Sequence, residues 1–153
     1  MTTHGEEGSL GVVLNKSAGE LLGQLGDEFE ACGLADVPVY LGGPVNPEQI
    51  IIAAWKSLPE QGQFQLYFGL EPLVAQSKMQ ADPDLTFRAF KGYSGWSEGQ
   101  LFGELEDNVW IVSELDGDLI ERMEGSELWR NLIMSVNPEL GLISLELEKP
   151  ESN

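Results

Sequence analysis

Histidine and cysteine are almost missing from this chain: one of each, His4 and Cys32, in 153 residues. A lone cysteine cannot close an internal disulfide, and the acidic neighbours Glu30 and Asp36 discourage a thiolate, so Cys32 reads as a packing residue. A single histidine, set in a polar lead, leaves neither a Ser-His-Asp triad nor a multi-histidine metal site easy to assemble. Bases are scarce as well, 8 against 26 acidic residues, for a net charge of −18 and a pI near 4.1. They stand singly at Lys16, Lys56, Lys78, Arg88, Lys91, Arg122, Arg130 and Lys149, and such scatter makes no stripe to replace counterions on a phosphate backbone. Direct nucleic-acid binding is therefore not expected. No apolar run approaches the roughly 18 residues that would span a bilayer, so no membrane segment is expected. Without a cysteine pair or a recognisable secretory leader, the chain reads as cytoplasmic.

What remains is an ordinary globular composition, 42% hydrophobic and 22% charged. A chain of this length buries about 70% of its extended surface in one compact unit. We expect a single domain over 1–150, with 151–153 as a loose tail. The excess negative charge favours solubility, and it also suits a basic partner surface.

Apolar periodicity gives the elements. Leu10 to Leu14 reads as a buried strand closed by Asn15. In "SAGE", Ser17 and Glu20 have capping-box spacing, which predicts a helix carrying Leu21, Leu22, Leu25 and Phe29, weakened at Gly23 and Gly26. "VPVYL" is a strand entering a Gly42-Gly43-Pro44 turn, and "QIIIAAW" (49–55) is apolar on both faces, as in the middle of a covered sheet. "QFQLYFGL" follows as a strand, then a short helical turn over Pro72–Met79. "LTFRAFKGY" is a further strand, with Leu85, Phe87 and Ala89 on one side and Thr86, Arg88 and Phe90 on the other. "VWIV" (109–112) is read as a strand. Ser126 opens a helix with a stripe of Leu128, Trp129, Leu132, Ile133 and Val136, and "GLISLELEK" is a half-exposed final strand.

The stretch "GYSGWSEGQL" (92–101) attracts a functional reading because glycine-rich turns opening onto helices hold anions. A structural reading covers the same residues. Ser97 serves as N-cap with Gln100 completing a capping box, Trp96 and Leu101 form the apolar staple, and Gly92 and Gly95 allow the bend. The corner is the preferred reading. Two glycine turns, 41–47 and 92–100, could nevertheless line one pocket, that of a small-ligand or anion-binding protein or of an enzyme. Its candidate residues are Gly42, Gly43, Arg88, Tyr93, Gly95, Trp96 and Ser97, with Tyr40 as a further wall. The acidic runs "ELEDN" (104–108) and "DGD" (116–118) lack calcium-loop spacing, so neither a metal nor an organic cofactor is expected. No set of catalytic residues stands out, and the residues point away from an enzyme.

The motifs "GSLGVVLNK", "YLGGPVNPEQ" and "KGYSGWSEGQLFGELEDNVWIV", with the tryptophan-bearing helix at "ELWRNLI", resemble the bacterial YqgE/AlgH family over almost the whole chain. The resemblance implies an α+β fold, a mixed, barrel-like β-sheet flanked by several helices, in a cytosolic protein. It carries a label of transcriptional regulator without a recognised DNA-binding motif, and it transfers no catalytic residue. Relatives usually begin with about two dozen more residues, so this chain is short at its start by comparison, and a missing strand would leave an unpaired sheet edge that invites a second copy. Many relatives also carry a histidine where this chain has Ala54. The expected role is that of a regulatory or interaction protein with a protein partner and an indirect influence on transcription.

Overall fold

The computed structural model describes residues 3–5, 7–61, 63–114, 120 and 125–136. Among these residues seven strands form one sheet: β1 Thr3–Gly5, β2 Gly8–Gly11, β3 Ser17–Leu21, β4 Pro38–Leu41, β5 Val45–Leu58, β6 Gln63–Leu70 and β7 Thr86–Trp96. Among the described residues four α-helices with defined bounds accompany it: α1 Asp27–Ala31, α2 Pro72–Ala81, α3 Gln100–Glu106 and α4 Gly125–Val136.

The sheet consists of three antiparallel pairs of sequence neighbours, β1–β2, β3–β4 and β5–β6, stitched together by one late strand. That strand is β7. It runs antiparallel to β2 with Leu10 opposite Gly95, parallel to β4 with Tyr40 opposite Phe90, and antiparallel to β5 from Trp55–Thr86 to Val45–Tyr93. The sheet is therefore mixed, and the fold is α+β. It does not close on itself among the described residues, so the expected barrel is an open sheet.

Alternation along β5 and β7 separates two cores. Ile52, Ala54, Phe87 and Ala89 face Leu22, Phe29, Leu34 and Val37, with Ala75 and Met79 of α2 joining them. Ile51, Ala53 and Phe90 face the other way and pack with Tyr40, Val12, Leu14 and Phe68. Each fully buried Leu, Ile or Phe side chain contributes about 1.5–3 kcal/mol relative to exposure. The larger core sits where α1 and α2 cover the sheet. Pro72 at the start of α2 lacks an N–H that a first helical turn leaves unpaired anyway, and the helix runs a full ten residues rather than a single turn.

Several sequence expectations are corrected. Ser17–Leu21 is strand β3, not a helix: Gly19 has φ +71°, Ser17 Oγ accepts the Gly19 N–H at 3.2 Å, and Glu20 takes the Lys91 ammonium at 3.2 Å instead of capping. Pairing with β4 wins over the capping-box pattern, and helix is confined to a 3-10 turn at Leu22–Gln24 and to α1. Residues 109–112 form no strand, because no neighbouring strand is there to pair with them among the described residues. The polar lead contains β1, and β2 begins and ends earlier than Leu10–Leu14. β5 is longer than 49–55, with a register shift between Val45 and Ile50 where Asn46 takes φ 45° ahead of Pro47. β7 continues to Trp96. The final strand predicted over 141–149 lies outside the described residues.

Candidate functional site

The two glycine turns do meet, and they meet through backbone. Gly42 N donates to the Lys91 carbonyl at 2.9 Å, and a Cβ built on Gly42 would collide with the Gly92 carbonyl oxygen. A Cβ on Gly43 would strike the Tyr93 peptide, and one on Gly92, at φ +72°, would strike the Gly43 carbonyl. These three glycines permit one chain segment to cross another with no side chain between them. A methyl group does not fit at the crossing.

Arg88 lies elsewhere, on the face of the sheet that carries Phe90, and is only 4% exposed. Its guanidinium stacks over the Tyr40 ring at 4.2 Å, lies 5.4 Å from the Trp55 ring, and donates to the carbonyls of Leu14 at 3.2 Å and Ile120 at 2.7 Å. A buried charge is costly unless held in this way, and its partners bind the Leu14 and Ile120 segments to the sheet. Tyr40, expected as a pocket wall, is likewise a buried core residue.

Tyr93, Gly95 and Trp96 do share a shallow concavity of about 410 Å³, completed by Glu7, Gly8, Ser9, Leu10 and Val45. Asn46 Nδ2 reaches the Tyr93 hydroxyl there at 3.1 Å. Ser97 is exposed and outside its lining. Gly42, Gly43 and Arg88 are not among the lining residues.

The corner itself departs from the expected cap. Helix α3 starts at Gln100, after Gly99 in the left-handed region at φ 72°. Gln100 Oε1 accepts from both the Ser97 N–H at 3.1 Å and the Ser97 hydroxyl at 3.2 Å. The back-reaching half of a capping box is present, while Ser97 Oγ donates rather than accepting the Gln100 amide. Leu101 is buried as the staple requires.

A second cluster fixes the corner, and it was not foreseen. Glu104 receives the Trp110 indole N–H at 2.6 Å, the Gln100 amide at 3.1 Å and the Trp96 indole N–H at 3.1 Å. The two indoles meet edge to face at 5.8 Å. Donation from Trp110, then Gln100 and Trp96, favours the charged carboxylate and holds Glu104 below its ordinary value of 4.5, against a smaller opposing effect of burial. The four-residue step from Gln100 to Glu104 was the one signal available in the sequence, since i and i+4 share a helix face.

Beyond this clamp the surface turns apolar. Phe102 is 61% exposed and Val112 is 74% exposed, with Val109, Trp110 and Ile111 also open. A groove of about 620 Å³ runs from Val112 and Ser113 to Leu132, Ser135 and Val136 of α4. Of the apolar stripe of α4, Leu128 is buried while Trp129 and Val136 are exposed, as is Met134 beside it. Among the described residues no three His, Cys, Asp or Glu side chains gather as a metal site, and no helix is long and apolar enough to cross a membrane.

Residues 1–141 match a family model described as AlgH-like. A UPF0301 protein of Magnetococcus marinus is 30% identical over 150 residues, covering 92% of this chain and 80% of that protein. One from Parabacteroides distasonis is 33% identical over 137 residues, covering 85% and 68% respectively. Among solved structures, protein DIP2367 of Corynebacterium diphtheriae superposes with a TM-score of 0.69 at 20% identity, over 93% of this chain and 78% of that one. The AlgH protein of Pseudomonas aeruginosa gives 0.63 at 20% identity, over 92% and 79%. At that identity the structural likeness speaks for the fold.

Proposed function

This chain belongs to the AlgH-like family, and from that premise we propose that it works through protein contacts, as a regulatory or interaction protein whose influence on transcription is indirect. The observation that carries the reading is the apolar surface over Phe102, Val109–Val112 and the outer side of α4. Exposed apolar residues on an otherwise strongly acidic chain mark interaction sites where they adjoin, as Val112 and Val136 do along one groove. The scatter of the basic residues supports the indirect route, because a direct one needs Lys and Arg clustered on the protein to meet the DNA phosphates.

A photo-crosslinking residue in place of Phe102 tests this in living cells. The expected result is a discrete protein adduct that is missing when the probe is moved to exposed Ser77 on α2. The same smear of adducts from both positions would defeat the reading.

A second reading is favoured by one observation, the concavity that gathers Tyr93, Gly95 and Trp96. In it the protein binds a small ligand or anion. Amide shifts of Gly95 to Gly99 on titration with phosphate or acetate would support it, and unchanged shifts at millimolar ligand would end it.

A further inference from the structure

Among the described residues, strand β6 is an edge that lacks the usual protection. Among them it pairs with β5 alone, leaving every second N–H and C=O of its outer side without a strand partner. Edge strands are normally guarded by charge, proline or short length. Over Gln63–Leu70 the chain has eight residues with no charge and no proline, although its net charge is −18. The one guard is at the far end: Gly69 takes φ +73° and lies in the register shift between the Leu70–Ile52 and Phe68–Ala53 pairs. Such a bulge bends a strand and ends regular pairing, which leaves 63–68 as the straight stretch.

The two sides of that stretch differ. Phe64, Leu66 and Phe68 alternate onto one face, opposite Ser57, Trp55 and Ala53, and Leu66 is 42% exposed. Gln65 and Tyr67 are on the other face, where the Lys78 ammonium sits 3.8 Å from the centre of the Tyr67 ring and Lys56 pairs with Asp82. Exposed Glu60 precedes the strand and exposed Glu71 follows it.

We propose that the outer edge of Gln63–Phe68 docks an extended segment of a partner protein by strand addition. The segment carries apolar side chains at alternate positions, extending the Phe64–Leu66–Phe68 face, and Lys or Arg at both ends to meet Glu60 and Glu71. Main-chain hydrogen bonds supply affinity and the alternating side chains supply selection. A second copy is the poorer occupant. Antiparallel self-pairing sets the Glu60 end of one copy against the Glu71 end of the other and brings together two chains of net charge −18. The assignment rests on the reading of the protein as one that works through contacts, and names a surface and a partner chemistry for it.

The test uses the full isotope-labelled chain and a short synthetic peptide alternating valine and threonine between lysine ends. Controls are the same peptide with glutamate ends and one broken by a central proline. Backbone hydrogen exchange reports on the edge. The lysine-ended peptide is expected to slow alternate amides within Phe64–Phe68 by about tenfold or more, an effect that weakens with salt. Neither control peptide should do so, and Leu66→Lys, an exposed change, should abolish the effect while leaving the β5 amides as protected as before. Equal protection by the glutamate-ended peptide overturns the proposal. So does protection of these amides without any peptide, in a dimer detected by light scattering or in a monomer, since a second copy or another segment of this chain then holds the edge. Unchanged β6 amides, with crosslinks still forming at Phe102, overturn the edge assignment and leave the interaction reading standing.

Discussion

Two glycine groups flank Tyr93, and they serve different ends. Gly42, Gly43 and Gly92 lie where one backbone crosses another, so their missing side chains are a matter of volume. Gly99 and Gly103 have nothing within 4 Å of an added Cβ, and Gly95 has only the Tyr93 ring, at 3.7 Å. Gly99 is needed for its φ of 72°, and Gly103 for neither reason. The contrast teaches that glycine density in a sequence does not separate a crossing from a bend, and that neither implies a guest molecule.

Alanine substitutions break or sharpen this contrast. Gly42→Ala forces a methyl group into the Gly92 carbonyl, and we expect a loss of about 2–3 kcal/mol, read from the urea midpoint with an unchanged slope. If it costs less than Gly99→Ala, the crossing is not a volume constraint. Gly99→Ala should cost about 1 kcal/mol for the left-handed backbone alone, with Gly99→Asn milder. Gly103→Ala, in the open and inside α3, should instead stabilise by about 0.5–1 kcal/mol.

The smallest expected effect concerns protons at the corner. Glu104 binds its proton less readily folded than unfolded, so its contribution is fully present above the unfolded value near 4.5 and is lost as pH falls through the lower folded value. Indole fluorescence should report opening of the Trp96–Trp110 pair in that acidic window. Glu104→Gln should remove the pH step, and a step that survives in the variant would assign it to another carboxylate.

Legibility in the sequence followed how local the deciding interaction was. β4, β5, β6 and most of β7 could be read from β-branched runs and alternation, and α4 from its start at Ser126. β3 was misread because Ser17 and Glu20 imitate a capping box, while the partners that decide it, Pro38 to Tyr40 and Lys91, are distant in the chain. "VWIV" has strand composition without a strand to pair with among the described residues. Of the candidate pocket residues, Tyr93, Gly95 and Trp96 lie together in the lining of one concavity. Arg88 did not join them, because it is buried over Tyr40 and held by the carbonyls of Leu14 and Ile120, partners distant in the chain that spacing alone does not convey. The Glu104 clamp was hidden because an acidic run ordinarily means a solvated surface.

Because β7 is the strand through which the three earlier ribbons join, synthesis delivers the organising element late. A two-stranded ribbon alone is at best marginal in water. The nascent chain therefore carries Ile50–Trp55, its most apolar stretch, out of the ribosome before the strand that shelters it has emerged. Over that interval, which lasts seconds at ordinary elongation rates of about 5–20 residues per second, the acidic side chains around it are the available deterrent to aggregation.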